Sequence, residues 1–141
     1  MANYYSRAVV LPYLPLAQEQ LAVLNGDCES PLAKTLAEAC SLDPDELAFG
    51  LEAEKAGGEL YYLFATEGFG DDDIVFLQEV LAGLPEEDYP HLTVECAHTC
   101  SKMRSDGFGG SAYVIRRDEV ASWSTCAWLE DEVAKGESEK L

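Results

Sequence analysis

The strictest constraint on the fold of this chain is a switch to period-two hydrophobicity at Leu47. Leu47, Phe49, Leu51 and Ala53 alternate with Ala48, Gly50, Glu52 and Glu54. That pattern places apolar side chains on one side of an extended strand and acids on the other. The preceding Asp43-Pro44-Asp45-Glu46 has capping-box character, from Asp43 to Glu46, and by itself would open a helix. The alternation accounts for more residues. Lys55-Ala56-Gly57-Gly58 reads as a turn, Leu60, Tyr62 and Phe64 resume the pattern, and residues 47–66 are expected to form a hairpin.

Both flanks can be read outward from this hairpin. Gly68-Phe69-Gly70 ends it, and Asp71, Asp72 and Asp73 open a helix that turns Ile74, Leu77 and Leu81 inward and stops near Gly83. Acids suit a helix N-terminus, where amides lack partners and the dipole is positive, so capping explains the three aspartates without metal. A calcium loop would space oxygen ligands over about twelve residues and close with a glutamate, and that pattern is absent. After Pro90, Leu92, Val94, Cys96 and His98 alternate as a strand. A glycine-rich connection at 105–110 leads into Ala112-Tyr113-Val114-Ile115. Arg117-Asp118-Glu119 reads as a turn before a strand Val120–Trp123. Ser124 or Thr125 then caps a last helix carrying Ala127, Trp128, Leu129 and Val133, stopped at Gly136.

Upstream, residues 4–14 are aromatic and β-branched enough for an opening strand stopped by prolines. Pro15 is expected at the first helical position, ahead of an apolar stripe of Leu16, Ala17, Leu21 and Leu24 that ends near Gly26. A second short helix starts at Ser30-Pro31 and buries Leu32, Leu36 and Cys40. A length of 141 residues suits one domain. The expected fold is therefore α+β, a single domain over 1–141 with a mainly antiparallel sheet and helices packed on one face. Residues 1–45 supply a strand and short helices. Residues 47–135 run β-β-α-β-β-β-α, and 137–141 form a frayed tail.

Charge narrows the function. The formal net charge is -18, with 27 acidic and 9 basic residues. Acids spread along the chain repel nucleic acid and anionic lipid, so neither direct nucleic-acid binding nor membrane association is expected. Apolar stretches are too short to span a bilayer, and no secretory signal is visible. Five cysteines in no dense framework suit reduced thiols in a cytoplasmic compartment. The cations are uneven. Residues 100–117 hold Lys102, Arg104, Arg116 and Arg117 against one acid, Asp106. Lys102 and Arg104 flank the glycine loop, whereas Arg116 and Arg117 lie at the far end of the next strand.

These residues offer three candidate sites to weigh, while no catalytic or metal site is itself expected and buried cysteines on a core-facing strand are the default reading. Lys102 and Arg104, with Phe108, Gly109 and Gly110, form a candidate anion site, because glycines let successive amides point into one concavity. Internal pairing of those cations with acids of the same fold is the competing reading. Cys96, His98 and Cys100 share one strand face and are the one cluster of soft ligands. Regular strand spacing holds such residues about 6–7 Å apart, too far for tidy tetrahedral metal binding. Cys100, beside Lys102 and within reach of His98, is the sole candidate nucleophile, because cations lower a thiol's pKa. Glu52 and Glu54 are read as a solvated face, and Trp123 and Trp128 as core or interface anchors.

Thr99-Cys100-Ser101-Lys102-Met103-Arg104, then Phe108-Gly109-Gly110-Ser111-Ala112, then Ser124-Thr125 with Trp128-Leu129 form a recognisable set. The set resembles a T-C-S-K-x-R, F-G-G-x-A, S-T-x-x-W-L pattern in small bacterial, phage and plasmid proteins of no established function, covering the chain from about Leu47 onward. What the resemblance implies is context: mobile elements often encode small acidic accessory proteins that counter host defences. The functional expectation is an acidic, non-enzymatic binding protein, acting as an anti-defence inhibitor. It would engage a basic nucleic-acid-handling partner, a host nuclease or defence component, by charge mimicry. The dispersed carboxylates, Asp71, Asp72, Asp73, Glu52 and Glu54 among them, would make the contact, with no cofactor. The alternative is a small ligand-binding domain or cysteine-dependent enzyme centred on the 96–117 hairpin. Oligomeric state is not legible.

Overall fold

A computed structural model describes residues 4–100 and 109–139, and in it the alternating segment becomes β2 (Leu51–Gly57) and β3 (Leu60–Ala65). Gly57 and Gly58 turn the chain at φ +137° and +58°, a region where glycine carries no steric cost. The Asp43–Glu46 box is also real but short. Glu46 accepts from the Asp43 N–H at 2.9 Å and closes a single 3₁₀ turn, Pro44–Glu46. Leu47 and Phe49 pack on the core before the strand begins.

The opening strand, β1 (Tyr4–Pro15), has the role that local pattern did not reveal. It lies in the middle of the sheet. Among the described residues the sheet has six strands in the order β2-β3-β1-β4-β5-β6, where β4 is Leu92–Cys100, β5 Gly109–Ile115 and β6 Val120–Ser124. All neighbours are antiparallel. Ala8 faces Ala65 on one side and Cys96 on the other, and Val10 faces Leu63 and Val94. β1 therefore completes the sheet formed by the strands of 47–135, pairing with β3 on one side and β4 on the other.

The α+β expectation holds, and three helices bank on one face. They are α1 (Gln18–Leu24), α2 (Pro31–Ala39) and α3 (Asp71–Ala82). Their buried residues Val23, Ala33, Leu36, Phe76, Leu77, Val80 and Leu81 join Ala8, Val10, Leu51, Leu63, Leu92, Val94 and Ile115 in one apolar cluster. Ser30 caps α2 as expected, accepting from the Ala33 N–H at 3.1 Å. Two helix details differ. Pro15 ends β1 instead of starting α1, whose first turn is held by the Gln20 side chain on the Ala17 N–H. The last helix, α4 (Thr125–Glu139), continues through Gly136. Its stripe is not core: Trp128, Leu129 and Val133 are 48%, 56% and 60% exposed.

The turn expected before β6 forms, with the Arg116 N–H on the Glu119 carbonyl at 2.9 Å. Arg117 is consumed by structure. Its guanidinium donates to the carbonyls of Leu84 (2.8 Å) and Tyr89 (3.0 Å), tying the loop after α3 to the β5–β6 turn. Charged donors to carbonyls carry more than neutral ones, and both of these bonds are partly buried. Arg117→Ala is expected to cost about 2 kcal/mol in chemical denaturation. Arg117→Lys should recover little of it, because an ammonium lacks the planar fork.

Candidate binding face

The face opposite α1–α3 is assembled from residues that alternate with the core. Register places Glu52, Phe64, Val9, Glu95, Ala112 and Trp123 in one cross-sheet row. A second row begins Glu54, Tyr62, and the Tyr13 ring meets Tyr62 edge-on with centroids 5.7 Å apart. Tyr62 and Phe64 stack at 5.1 Å. Leu11 and Tyr13 are 50% and 44% exposed. Between β1, β3 and β4 lies a shallow hollow of about 460 Å³, lined by Arg7, Val9, Tyr62, Phe64 and Glu95. Glu52 is steadied by the Thr66 hydroxyl at 3.2 Å. The result is an aromatic and aliphatic surface bordered by carboxylates.

This reverses the phase expected for β3. Leu60, Tyr62 and Phe64 were to point inward, but Leu63 (1% exposed) and Ala65 (3%) do so. Every residue from Leu60 to Ala65 is apolar or aromatic, so local alternation is degenerate there. Pairing decides it: Leu51 with Ala65 and Ala53 with Leu63 put the small and aliphatic side chains under the helices. Glu52 and Glu54 do lie on the solvated face.

The three aspartates divide. They are the first three residues of α3, as capping requires, with Gly70 at the N-cap. Asp72 accepts from the Ala48 N–H at 2.9 Å. Asp73 is 1% exposed and faces the core, accepting from the amides of Gly50, Leu51 and Gly70 at 3.0–3.1 Å through its nearer contacts. Burial pushes its carboxyl above the ordinary value, against the pull of those three donors. Asp73 is thus out of reach of a partner and is a fastener between β2 and α3.

His98 is half-buried and bridges three strands. Its Nδ1 meets the Ser6 hydroxyl on β1 at 2.8 Å, and its Nε2 meets the Ser111 hydroxyl on β5 at 2.9 Å. Both ring nitrogens are therefore engaged, and ligation of a metal through either would break a cross-strand bond. Cys96 is buried, and burial pushes its thiol up, which opposes thiolate formation. Among the described residues no group of three His, Cys, Asp or Glu is placed to hold a metal ion. Lys102, Arg104, Phe108 and the Cys100 side chain, central to the expected anion and nucleophile sites, lie outside the described residues. Gly109 and Gly110 are the first residues of β5, and the Gly110 N–H donates to the Thr125 hydroxyl at 3.0 Å.

Sequence reasoning missed Val9, Leu11, Tyr13, Tyr62, Phe64 and Glu95 as one surface. A signal was present in β1, where Ala8 and Val10 alternate with Val9 and Leu11, because a strand apolar on both sides is suited to a central position. Fold and face together define a class: an α+β protein on a single antiparallel sheet, helices banked on one side, an acid-bordered aromatic surface on the other. Comparison with family models, curated proteins and solved structures finds no match to this chain.

Proposed function

We propose that this is an acidic binding protein whose open sheet face engages a basic, nucleic-acid-handling protein by charge mimicry. An anti-defence role on behalf of a mobile element is the biological form of that reading. The supporting observation is the face itself. Rings of Tyr13, Tyr62 and Phe64 offer anchoring area, and Glu52, Glu54 and Glu95 set negative charge around it. Aromatic centres in an uncovered patch with charged borders are the usual anatomy of a recognition surface. The cation that lines the hollow on this face, among the described residues, is Arg7, set against Glu52, Glu54 and Glu95. Among the described residues two ion pairs form, Arg116–Glu119 (3.4 Å) and Lys135–Glu132 (3.0 Å), both away from this face. No described helix is long and apolar enough to cross a membrane.

The test uses a basic nuclease or restriction component co-purified from the native host. Its affinity is expected to fall about tenfold or more between low and physiological salt, because screening weakens steering and attraction alike. Glu52→Gln with Glu95→Gln should slow association, and Tyr62→Ala should speed dissociation. Affinity indifferent to salt and to all three changes would rule the mimicry out.

A further inference from the structure

The side of the sheet that carries α1–α3 turns polar toward one end. Ala8, Cys96, Ser111 and Ser124 form one cross-sheet row, and Ser6, His98 and Gly109 form the next. Gly109, opposite His98, brings no side chain, so the imidazole reaches diagonally to the Ser111 hydroxyl, 2.9 Å from Nε2. The Ser6 hydroxyl holds Nδ1 at 2.8 Å. All three side chains are half-buried.

Ser111 also borders a cleft. It shares a space of about 320 Å³ with Tyr113, Ser124, Trp128 and Asp131. Ser124 stands directly across from Ser111, a pairing that sets Cβ atoms about 4.5–5.5 Å apart. The Ser124 hydroxyl accepts from the Ala127 N–H at 3.2 Å, which leaves its own O–H to donate.

We propose that Ser111 is a nucleophile, activated by His98, in a site that cleaves small carboxylic esters bearing no negative charge. The parts that acyl transfer needs stand together: a hydroxyl on a base, a third group orienting that base, and a donor beside the reacting carbonyl. With Nδ1–H donated to Ser6, Nε2 takes the Ser111 proton as Oγ bonds to the ester carbonyl carbon. The Ser124 O–H donates to the carbonyl oxygen as negative charge gathers there. The bond to the alcohol then breaks, and the alcohol departs with the proton from His98. Water attacks the acyl-Ser111 ester and passes a proton to His98, which returns it to Oγ as the acid leaves. Ser6 is a positioning residue. Asp131 in the cleft and a net charge of -18 disfavour anionic substrates, while Tyr113 and Trp128 supply apolar area. The inference does not rest on the mimicry reading, because this site lies on the other side of the sheet.

A fluorophosphonate probe on the intact full chain, read by peptide mass spectrometry, tests the nucleophile. The expected result is an adduct on Ser111 that is lost when the chain is first unfolded in urea. p-Nitrophenyl acetate should be hydrolysed with an initial burst. Phenyl acetate should exceed 4-carboxyphenyl acetate about tenfold or more in kcat/KM. Ser111→Ala and His98→Ala should each lose about 100-fold or more. Ser6→Ala should lower kcat about tenfold at unchanged KM, and Ser6→Thr should restore it. If these variants fail to fold, labelling of the unaltered chain decides. No adduct on Ser111 in the folded chain, or hydrolysis that survives Ser111→Ala, overturns the proposal and leaves His98 a bridge between strands. Equal rates on the two phenyl esters overturn the substrate class.

Discussion

Asp73→Ala lowers the melting temperature by about 10 °C. The carboxylate is 1% exposed and is the shared acceptor for the amides of Gly50, Leu51 and Gly70. Alanine leaves those donors without their acceptor at the junction of β2 and α3, and each orphaned buried donor costs about 1–3 kcal/mol. Water reaching the less buried of them limits the total to about 3 kcal/mol. Asp73→Asn keeps the shape but turns an amide donor toward other donors, so it recovers little.

The pH dependence has a definite sign. Burial raises the Asp73 carboxyl above its ordinary value, with Asp72 adding to the rise. Between the ordinary value near 4 and the raised one, the folded chain holds a proton that the unfolded chain has released. This group's contribution to stability is therefore full below about pH 4 and fades as pH rises through the raised value. Denaturation midpoints followed from pH 7 downward should rise more steeply in the parent than in Asp73→Asn.

Gly50→Ala destabilises the same junction by about 2–4 kcal/mol, read as a lower urea midpoint. A methyl on Gly50 runs into the carbonyl of Gly68, and the Asp73 Oδ2 stands 3.5 Å away. Both neighbours are fixed, one as backbone and one by its amide partners, so the β2 lead-in itself must move. A shift there also lengthens the Gly50 N–H bond to Asp73, so Gly50→Ala and Asp73→Ala should combine to less than their sum. Additive losses would mean that the two positions act independently.

Much of this fold is legible in the chain. The 47–66 hairpin follows from alternation and a Gly-Gly turn. The Ser30-Pro31 start of α2 follows from cap chemistry, and the β4 core positions from Leu92, Val94 and Cys96. These are local effects, decided by residues within a few positions of one another. Failures occur where local pattern is degenerate. Leu60–Ala65 is apolar throughout, so its inward side could not be read without the Leu51–Ala65 pairing. The α4 stripe has helical spacing, but spacing cannot say whether a face meets the core or water. The candidate site was half legible. Glu52 and Glu54 were placed on a solvated face, whereas their aromatic neighbours come from β1 and β3, brought together only by the sheet.

The sequence by itself determined the class of fold, the order of the elements after Leu47, and an acidic surface with few cations to neutralise it. Those properties depend on composition and short-range periodicity, which every stretch of chain carries with it. Only the tertiary structure decided that β1 sits at the centre of the sheet, that Asp73 is a buried fastener, and that β6 is an uncharged edge. Each of these depends on pairing between distant segments. Burying the most apolar surface while satisfying the backbone amides selects among registers that the local pattern leaves equal.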